Sequence, residues 1–205
     1  PSSAFGKTPF DPTPVARSLE AAVTDWLRYL GVAETALSVD KGKLGHELKV
    51  TLSASGPKHD LTHVGVGVSQ VLPILVMSLL ADRDTTLIFE QPELHLHPMV
   101  QTRLGDFFLS IILAGKQCLI ETHSEYLINR LRFRAAAEET TNRVTENLKV
   151  YFVEKKNGAS EFRDVKVNEY GAILDWPEGF FDQSQFEAES ILRAAAAKKK
   201  MQKGK

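Results

Sequence analysis

Residues 85–98 read TTLIFEQPELHLHP, and this stretch decides the fold. A short apolar run at residues 87–89 ends abruptly in the acids Glu90 and Glu93. A fully apolar run of this length is typical of a buried strand in a parallel sheet. Ligands of such sheets bind where the strands end at their carboxyl edge, so an acid at this point indicates a bound metal or phosphate.

A second apolar strand is predicted at residues 117–120, and the polar sequence ETHS follows it at residues 121–124. Apolar residues at helical spacing separate the two strands, and Ser124 can cap another helix. Strand, helix, strand and helix in series predict parallel strands joined by right-handed crossovers. Glu90 and His123 should therefore meet at one rim of the sheet.

The other elements complete a predicted α/β fold, with a mostly parallel sheet, flanking helices and a C-terminal β-hairpin. Three segments are expected: an N-terminal helix and hairpin at 1–60, a central core at 61–135, and a C-terminal part at 136–205. The predicted elements are a helix from Thr13 and Pro14 to Gly31, a hairpin of 36–39 and 47–52 around residues 41–43, a helix at 69–81, a hairpin of 150–154 and 161–167 around Asn157-Gly158, and a helix at 183–197 before a lysine-rich tail.

Composition narrows the functional classes. With 205 residues, 43% of them hydrophobic, the chain is long enough for one buried core. A formal net charge of −1 argues against a broadly basic nucleic-acid binder. The single cysteine, Cys118, gives no disulfide framework. No apolar run of about 18 residues is present, so we expect a cytoplasmic protein without a membrane role.

Three motifs occur in a fixed order: VGVGVSQVLP at 64–73, EQPELHLHP at 90–98 and ETHS at 121–124. Together they resemble the C-terminal lobe of an ABC-type ATPase head. The resemblance is to the SMC-like and RecF-like branch of prokaryotic AAA-family ATPases, which includes the overcoming-lysogenization-defect (OLD) nucleases. It extends from about residue 26 to residue 130 and implies a P-loop NTPase fold with ATP and Mg²⁺ as cofactors.

The resemblance implies a role for each acid and for the histidine. Glu90 is similar to the Walker B acid that binds magnesium, and His123 to the switch histidine that contacts the γ-phosphate. Gln91 stands at the position of the catalytic glutamate. Because an amide can bind the attacking water but cannot take its proton, turnover should be slow or Glu93 should act instead.

The segment at 64–73 is similar to the signature motif, which implies that Gly65, Gly67, Val68, Ser69 and Gln70 bind nucleotide. Glycines let a backbone approach phosphate closely, and a helix opened by the last two of these residues would attract an anion. In ABC-type heads that anion is the ATP of the opposite subunit. The resemblance therefore implies a homodimer with ATP sandwiched between two heads.

A Walker A loop is missing from the expected set of motifs. The Gly6-Lys7-Thr8 tripeptide has Pro1 where the first glycine of the motif should stand, no preceding strand, and Pro9 where a helix should run. The resemblance implies that an N-terminal Walker A lobe of the same protein completes the site. Alone, this chain should bind ATP poorly.

Three functions remain open. The first is an ATPase lobe whose nucleotide-driven dimerisation acts on a nuclease or a DNA-associated effector, in genome maintenance or phage defence. The second is a degenerate, non-hydrolysing interaction module, which Gln91 favours. The third is a metal-dependent hydrolase, because Glu93, His95 and His97 would share a face if extended, and His123 could complete a zinc site.

Overall fold

The computed structural model describes residues 18–40, 46–139, 141–175, 177, 179–181 and 183–203. The predicted helix start at Thr13 and Pro14, the Gly6-Lys7-Thr8 segment and the turn at 41–43 lie outside these residues. In the described part, the elements in chain order are α1 (Leu19–Leu30), β1 (Thr35–Asp40), β2 (His46–Thr51), β3 (Lys58–Asp60), α2 (Val66–Leu80), β4 (Thr86–Glu90), α3 (Pro98–Leu113), β5 (Gln117–Glu121), α4 (Glu125–Ala136), α5 (Arg143–Asn147), β6 (Val150–Lys156), β7 (Ala159–Val165) and α6 (Gln183–Lys203).

Helix α1 has a cap at each end. The Ser18 hydroxyl accepts a hydrogen bond from the Ala21 N–H at 3.2 Å, which satisfies one of the free donors of the first turn. Gly31 ends the helix as predicted, with a φ of 77° in the left-handed region that glycine adopts without strain. Between the caps, the helix buries Val23, Trp26, Leu27 and Leu30.

The strands form three small sheets, and the prediction of a mostly parallel sheet is wrong for the described residues. Only β4 and β5 pair in parallel there, whereas β1, β2 and β3 form an antiparallel sheet and β6 pairs with β7. The connections explain this difference. Parallel strands need a long crossover, which α3 supplies between β4 and β5, while short connections return the chain antiparallel.

The C-terminal hairpin is confirmed. Asn157 and Gly158 form its two-residue turn with φ values of 53° and 84°, as a type I′ turn requires. In the described residues, β6 and β7 form a two-stranded sheet of their own. The hairpin packs through one end, where the rings of Phe152 and Phe180 lie 5.6 Å apart.

The core lies between α1, α2, α3, α4 and one face of β4. The ring of Phe107 in α3 packs on the ring of Trp26 in α1, with 4.9 Å between their centroids. The ring of Phe108 packs on that of Phe89 in β4, with 5.0 Å between their centroids. Both phenylalanines of α3 are fully buried. Helix α3 therefore connects the N-terminal helix to the parallel strands, which fixes where β4 ends.

Asp106 connects three helices inside this core. It is fully buried on α3 and accepts hydrogen bonds from Arg130 Nη2 at 2.6 Å and Arg134 Nε at 2.9 Å, both on α4. The Tyr29 hydroxyl of α1 donates to the same carboxylate. Burial raises the pKa of Asp106, but hydrogen bonds from both arginines and the tyrosine outweigh it and leave this pKa below its ordinary value.

Helix α6 runs to Lys203, past the predicted end at Ala197. At its start, Ser184 Oγ lies 3.3 Å from Glu125 Oε1 at the beginning of α4. None of the described helices combines the length and the apolar composition needed to cross a membrane.

Candidate nucleotide site

Glu90 and Glu121 end the two parallel strands side by side. The register pairs Leu87 with Cys118 and continues to Glu90 with Glu121. The Gln91 N–H continues the pairing by donating to the Glu121 carbonyl at 3.0 Å. The two strands thus end together and bring Glu90 and Glu121 to one rim, whereas the meeting of Glu90 with His123 stays a prediction.

This rim opens on a pocket of about 560 Å³. Its polar side chains come from α2, from the ends of β4 and β5, and from the turn after β4. Its apolar side includes Ile88 and Leu119, which are 65% and 60% exposed. The lining residues are Gln70, Ile88, Phe89, Glu90, Gln91, Leu94, Leu119 and Glu121.

The turn after β4 has an unusual backbone. Gln91 and His95 have φ values of 43° and 62°, in the left-handed region that side chains other than glycine rarely adopt. Two tight hydrogen bonds stabilise it, from the Leu94 N–H to the Gln91 carbonyl and from the Leu96 N–H to the Glu93 carbonyl, each 3.0 Å. Such backbone conformations concentrate at functional sites.

Glu93 lies behind the rim. It is only 7% exposed, and its Oε1 accepts a hydrogen bond from the backbone N–H of His123 at 2.7 Å. Its Oε2 is buried and has no hydrogen-bond partner among the described residues. Glu93 therefore positions the segment after β5, and it is not one of the pocket-lining residues.

His123 lies on the outer side of the rim, 76% exposed, and does not line the pocket. Its Nε2 is 3.1 Å from Oε1 of Glu121. When Nε2 carries a proton, the imidazole donates a hydrogen bond to this carboxylate oxygen. In this structure the histidine thus contacts a carboxylate of the pocket. To contact a phosphate there, the ring would have to leave Glu121.

Glu121 is the residue that the sequence prediction did not assign. Its Oε2 accepts a hydrogen bond from the Gln91 N–H at 3.2 Å, while its Oε1 contacts His123. The signal was present, because Glu121 ends an apolar strand as Glu90 does. The same rule of acids at strand ends applies to both.

Helix α2 begins earlier than predicted. Gly65 is its N-cap and Val66 its first residue, so Ser69 and Gln70 do not open it. Pro73 consequently lies in the helix interior. The Ser69 hydroxyl donates back to the Leu61 carbonyl at 3.5 Å. The segment VGVGV at 64–68 has no polar capping residue and contains two glycines, a pattern typical of a loop, so the sequence predicts a later helix start.

The residues predicted to bind nucleotide on α2 divide into two groups. Gly65 has open space where a Cβ would stand, whereas a Cβ on Gly67 would touch Leu96 at an ordinary 3.5 Å. Val68 is a core residue, with its N–H bonded to the Gly65 carbonyl at 3.1 Å. Only Gln70 lines the same pocket as the strand-end acids.

The histidines do not form the predicted zinc site. The His97 Nδ1 accepts a hydrogen bond from the Met99 N–H at 3.2 Å and caps α3. His95 lies in the turn with its left-handed backbone, so the segment is not extended and its histidines do not share a face. In the described ranges no three metal-binding side chains converge.

The pocket residues suit magnesium and phosphate. Carboxylate oxygens, completed by water, are the ligands that Mg²⁺ prefers, and Glu90 presents them at the end of β4, beside Glu121 at the end of β5. Outside the pocket lining, the N-terminus of α2 at Gly65 offers free N–H groups and the positive end of a helix dipole. These features fit a magnesium-bound nucleotide better than a zinc ion.

Two family models match parts of the sequence. Residues 27–128 match the AAA ATPase domain, a span that includes Glu90, Gln91 and His123. Residues 145–191 match a family described as a protein of unknown function (DUF3696). No curated protein matches this sequence.

Solved structures of SMC heads are similar in fold. One is described under "Structural biochemistry of ATP-driven dimerization and DNA stimulated activation of SMC ATPases". It matches with a TM-score of 0.54 at 12% identity, and the match covers 72% of this chain and 83% of that structure's chain. An SmcHead bound to the C-winged helix domain of ScpA has a TM-score of 0.54 at 11% identity and covers 73% of this chain. An Smc head from Pyrococcus furiosus with an extended coiled coil, bound to the C-terminal domain of ScpA, has a TM-score of 0.53 at 10% identity and covers 72% of this chain.

This chain spans 42% and 34% of the second and third of those structures. Identities near a tenth establish likeness of fold alone. Residues 27–128 thus match the model of the AAA ATPase domain, in a chain whose fold is similar to that of SMC ATPase heads.

Proposed function

We propose that this chain is the part of an ATPase head that binds magnesium and ATP at the rim of β4 and β5. One observation carries the proposal: Glu90 and Glu121 end adjacent parallel strands in register and open on one pocket together with Gln70 and Gln91. The match of residues 27–128 to the AAA ATPase domain supports the same conclusion.

Each residue has a defined task in this proposal. Glu90 binds magnesium, directly or through water, and Gln91 orients a water molecule through its amide. The exposed N-terminus of α2 at Gly65 binds phosphate through its free N–H groups. His123 contacts the terminal phosphate after releasing Glu121. When bound, magnesium neutralises charge on the phosphate oxygens.

Nucleotide would then bring two copies of the head together. The open space in front of Gly65 supports this step, because a phosphate held by another copy can approach there without a side chain in the way. One of the similar SMC ATPases is described as undergoing ATP-driven dimerization and DNA-stimulated activation. In our proposal, this dimerisation acts on a nuclease or DNA-associated effector.

The exposed face of the parallel pair supports completion of the site by a further lobe. Parallel sheets are normally buried on both faces, and two strands are too few for an independent sheet. Yet the paired residues Ile88 and Leu119 are mostly exposed on one face of β4 and β5. In our proposal, a Walker A lobe packs on this face and supplies the loop that surrounds the phosphates.

The test is a titration of the full-length protein with a fluorescent ATP analogue, with and without Mg²⁺. We expect saturable, magnesium-dependent binding that Glu90→Gln weakens by about tenfold or more, since it removes the charged metal ligand. The matched control is Glu154→Gln, on the exposed part of β6. Absent magnesium dependence, or equal affinities of the two variants, would overturn the proposal.

A second candidate follows from Gln91, which cannot take a proton from water. On this view the head binds nucleotide as a non-hydrolysing interaction module. Measurement of phosphate release at saturating ATP separates the two candidates. Saturable binding without turnover would favour the second.

A further inference from the structure

We propose that Glu121 is the carboxylate that takes the proton of the attacking water, in place of the acid that Gln91 cannot supply. This inference rests on the proposed function, since it concerns hydrolysis at the rim of β4 and β5. Neither the family matches nor the sequence motifs assign this role to Glu121.

The other candidates for a base are poorly placed. The Gln91 amide can accept a hydrogen bond from water but cannot be protonated at neutral pH. Glu93 is nearly buried, and its Oε1 is occupied by the His123 N–H at 2.7 Å. Neither residue combines basicity with access to the pocket.

Glu121 combines both. It lines the pocket beside Gln91 and is 51% exposed, so water reaches its carboxylate. It also stands opposite Glu90 in the strand register, next to the position proposed for magnesium. A general base must lie within hydrogen-bond reach of the water that it activates.

Two contacts orient the Glu121 carboxylate. The Gln91 N–H donates to its Oε2 at 3.2 Å, and His123 Nε2 lies 3.1 Å from its Oε1. Each carboxylate oxygen has two acceptor positions, so one on each oxygen stays available for water. When His123 moves to the terminal phosphate, the Gln91 N–H still holds Oε2, and Oε1 gains a further acceptor position for water.

The step balances without a redox partner. The water oxygen forms a bond to the γ-phosphorus, and the water O–H bond breaks as its proton passes to Glu121. The bond between the γ-phosphorus and the bridging oxygen breaks, and ADP leaves with that electron pair. Phosphate release then returns the proton from Glu121 to solvent.

The experiment compares Glu121→Gln, Gln91→Glu and the double variant in the full-length protein. We expect Glu121→Gln to lower turnover by roughly 100-fold or more, the usual range for a lost general base, while ATP affinity stays within about threefold. The ATP-bound dimer should persist longer in size-exclusion chromatography. Because Gln91→Glu returns an acid to the rim, the double variant should regain turnover.

The possible results separate the two proposals. Unchanged turnover in Glu121→Gln, or wild-type binding without turnover, would overturn the role of Glu121 and leave nucleotide binding intact. Loss of ATP affinity in Glu121→Gln would also overturn it, by making Glu121 a magnesium ligand. A wild-type protein that binds no magnesium nucleotide would overturn the proposed function and this inference together.

Discussion

Glu93 and His123 are joined across the rim: the Oε1 of Glu93 accepts a hydrogen bond from the backbone N–H of His123 at 2.7 Å. This contact connects the turn after β4 to the end of β5. It holds the strained turn after β4 in a fixed position relative to the end of β5, beside the pocket. It also explains why Glu93 is buried instead of facing nucleotide.

Removal of this acceptor should destabilise the fold. Glu93→Ala leaves the partly buried His123 N–H without a partner, which costs about 1–3 kcal/mol. Glu93→Gln keeps a carbonyl oxygen for the same bond and should cost less. Urea unfolding measures both variants, and equal losses would contradict the role of the hydrogen bond.

Asp106 should be far more sensitive than an exposed acid. Asp106→Asn leaves the two guanidinium groups of Arg130 and Arg134 without their buried counter-charge, so we expect a loss of about 3–5 kcal/mol in the free energy of unfolding. Asp175→Asn, which breaks an exposed pair with Arg163, is the control and should change little. Similar losses in the two variants would refute this account of the core.

The same carboxylate predicts a dependence of stability on pH. Its folded pKa lies below the unfolded value of about 3.9. The stabilisation from Asp106 is therefore complete above the unfolded pKa and is lost as pH falls through the lower, folded pKa. Thermal unfolding between pH 6 and pH 2 should show this loss in the wild type. Asp106→Asn should show a shallower decline.

Gly171 should tolerate alanine less well than Gly158. Both have positive φ, 71° and 84°. A Cβ on Gly171 would overlap the Arg132 carbonyl oxygen, whereas a Cβ on Gly158 would meet nothing within 4 Å. Gly158→Ala should cost about 1–2 kcal/mol for the backbone conformation alone, and Gly171→Ala clearly more. Equal midpoints in urea would contradict the close approach.

Cys118 should react slowly with alkylating reagents. Burial in β5 raises the pKa of its thiol to about 11, whereas an unfolded cysteine has a pKa of about 8.5. Because the thiolate is the reactive form, iodoacetamide at pH 8 should label the folded protein roughly 100-fold more slowly than the protein in urea. Comparable rates, followed by mass spectrometry, would show that the thiol is not buried as described.

Much of the fold was predictable because local patterns specify it. Apolar runs that end in acids gave β4 and β5, and Asn157-Gly158 gave the turn of the C-terminal hairpin. Pairing between distant strands could not be predicted in the same way. Which strands become neighbours depends on packing of the whole chain, so the third strand of the N-terminal sheet, β3, and the division into three small sheets were not predicted.

The candidate site was predictable in position but not in its contacts. The rule of acids at strand ends gave Glu90 and applied equally to Glu121. The rotation of each side chain depends on neighbours that lie far apart in sequence. The burial of Glu93 and the contact between His123 and Glu121 are of this kind, so no spacing in the sequence indicated them.

The central claim is that Glu90, at the rim of β4 and β5, binds the metal of a magnesium nucleotide. Its most direct test is a crystal structure of the full-length protein with a non-hydrolysable ATP analogue and Mn²⁺, in which the anomalous signal locates the metal. We expect the peak beside the Glu90 carboxylate, within about 2.5 Å or one bridging water. A metal and phosphates bound away from this rim, for example at His95 and His97, would contradict the account.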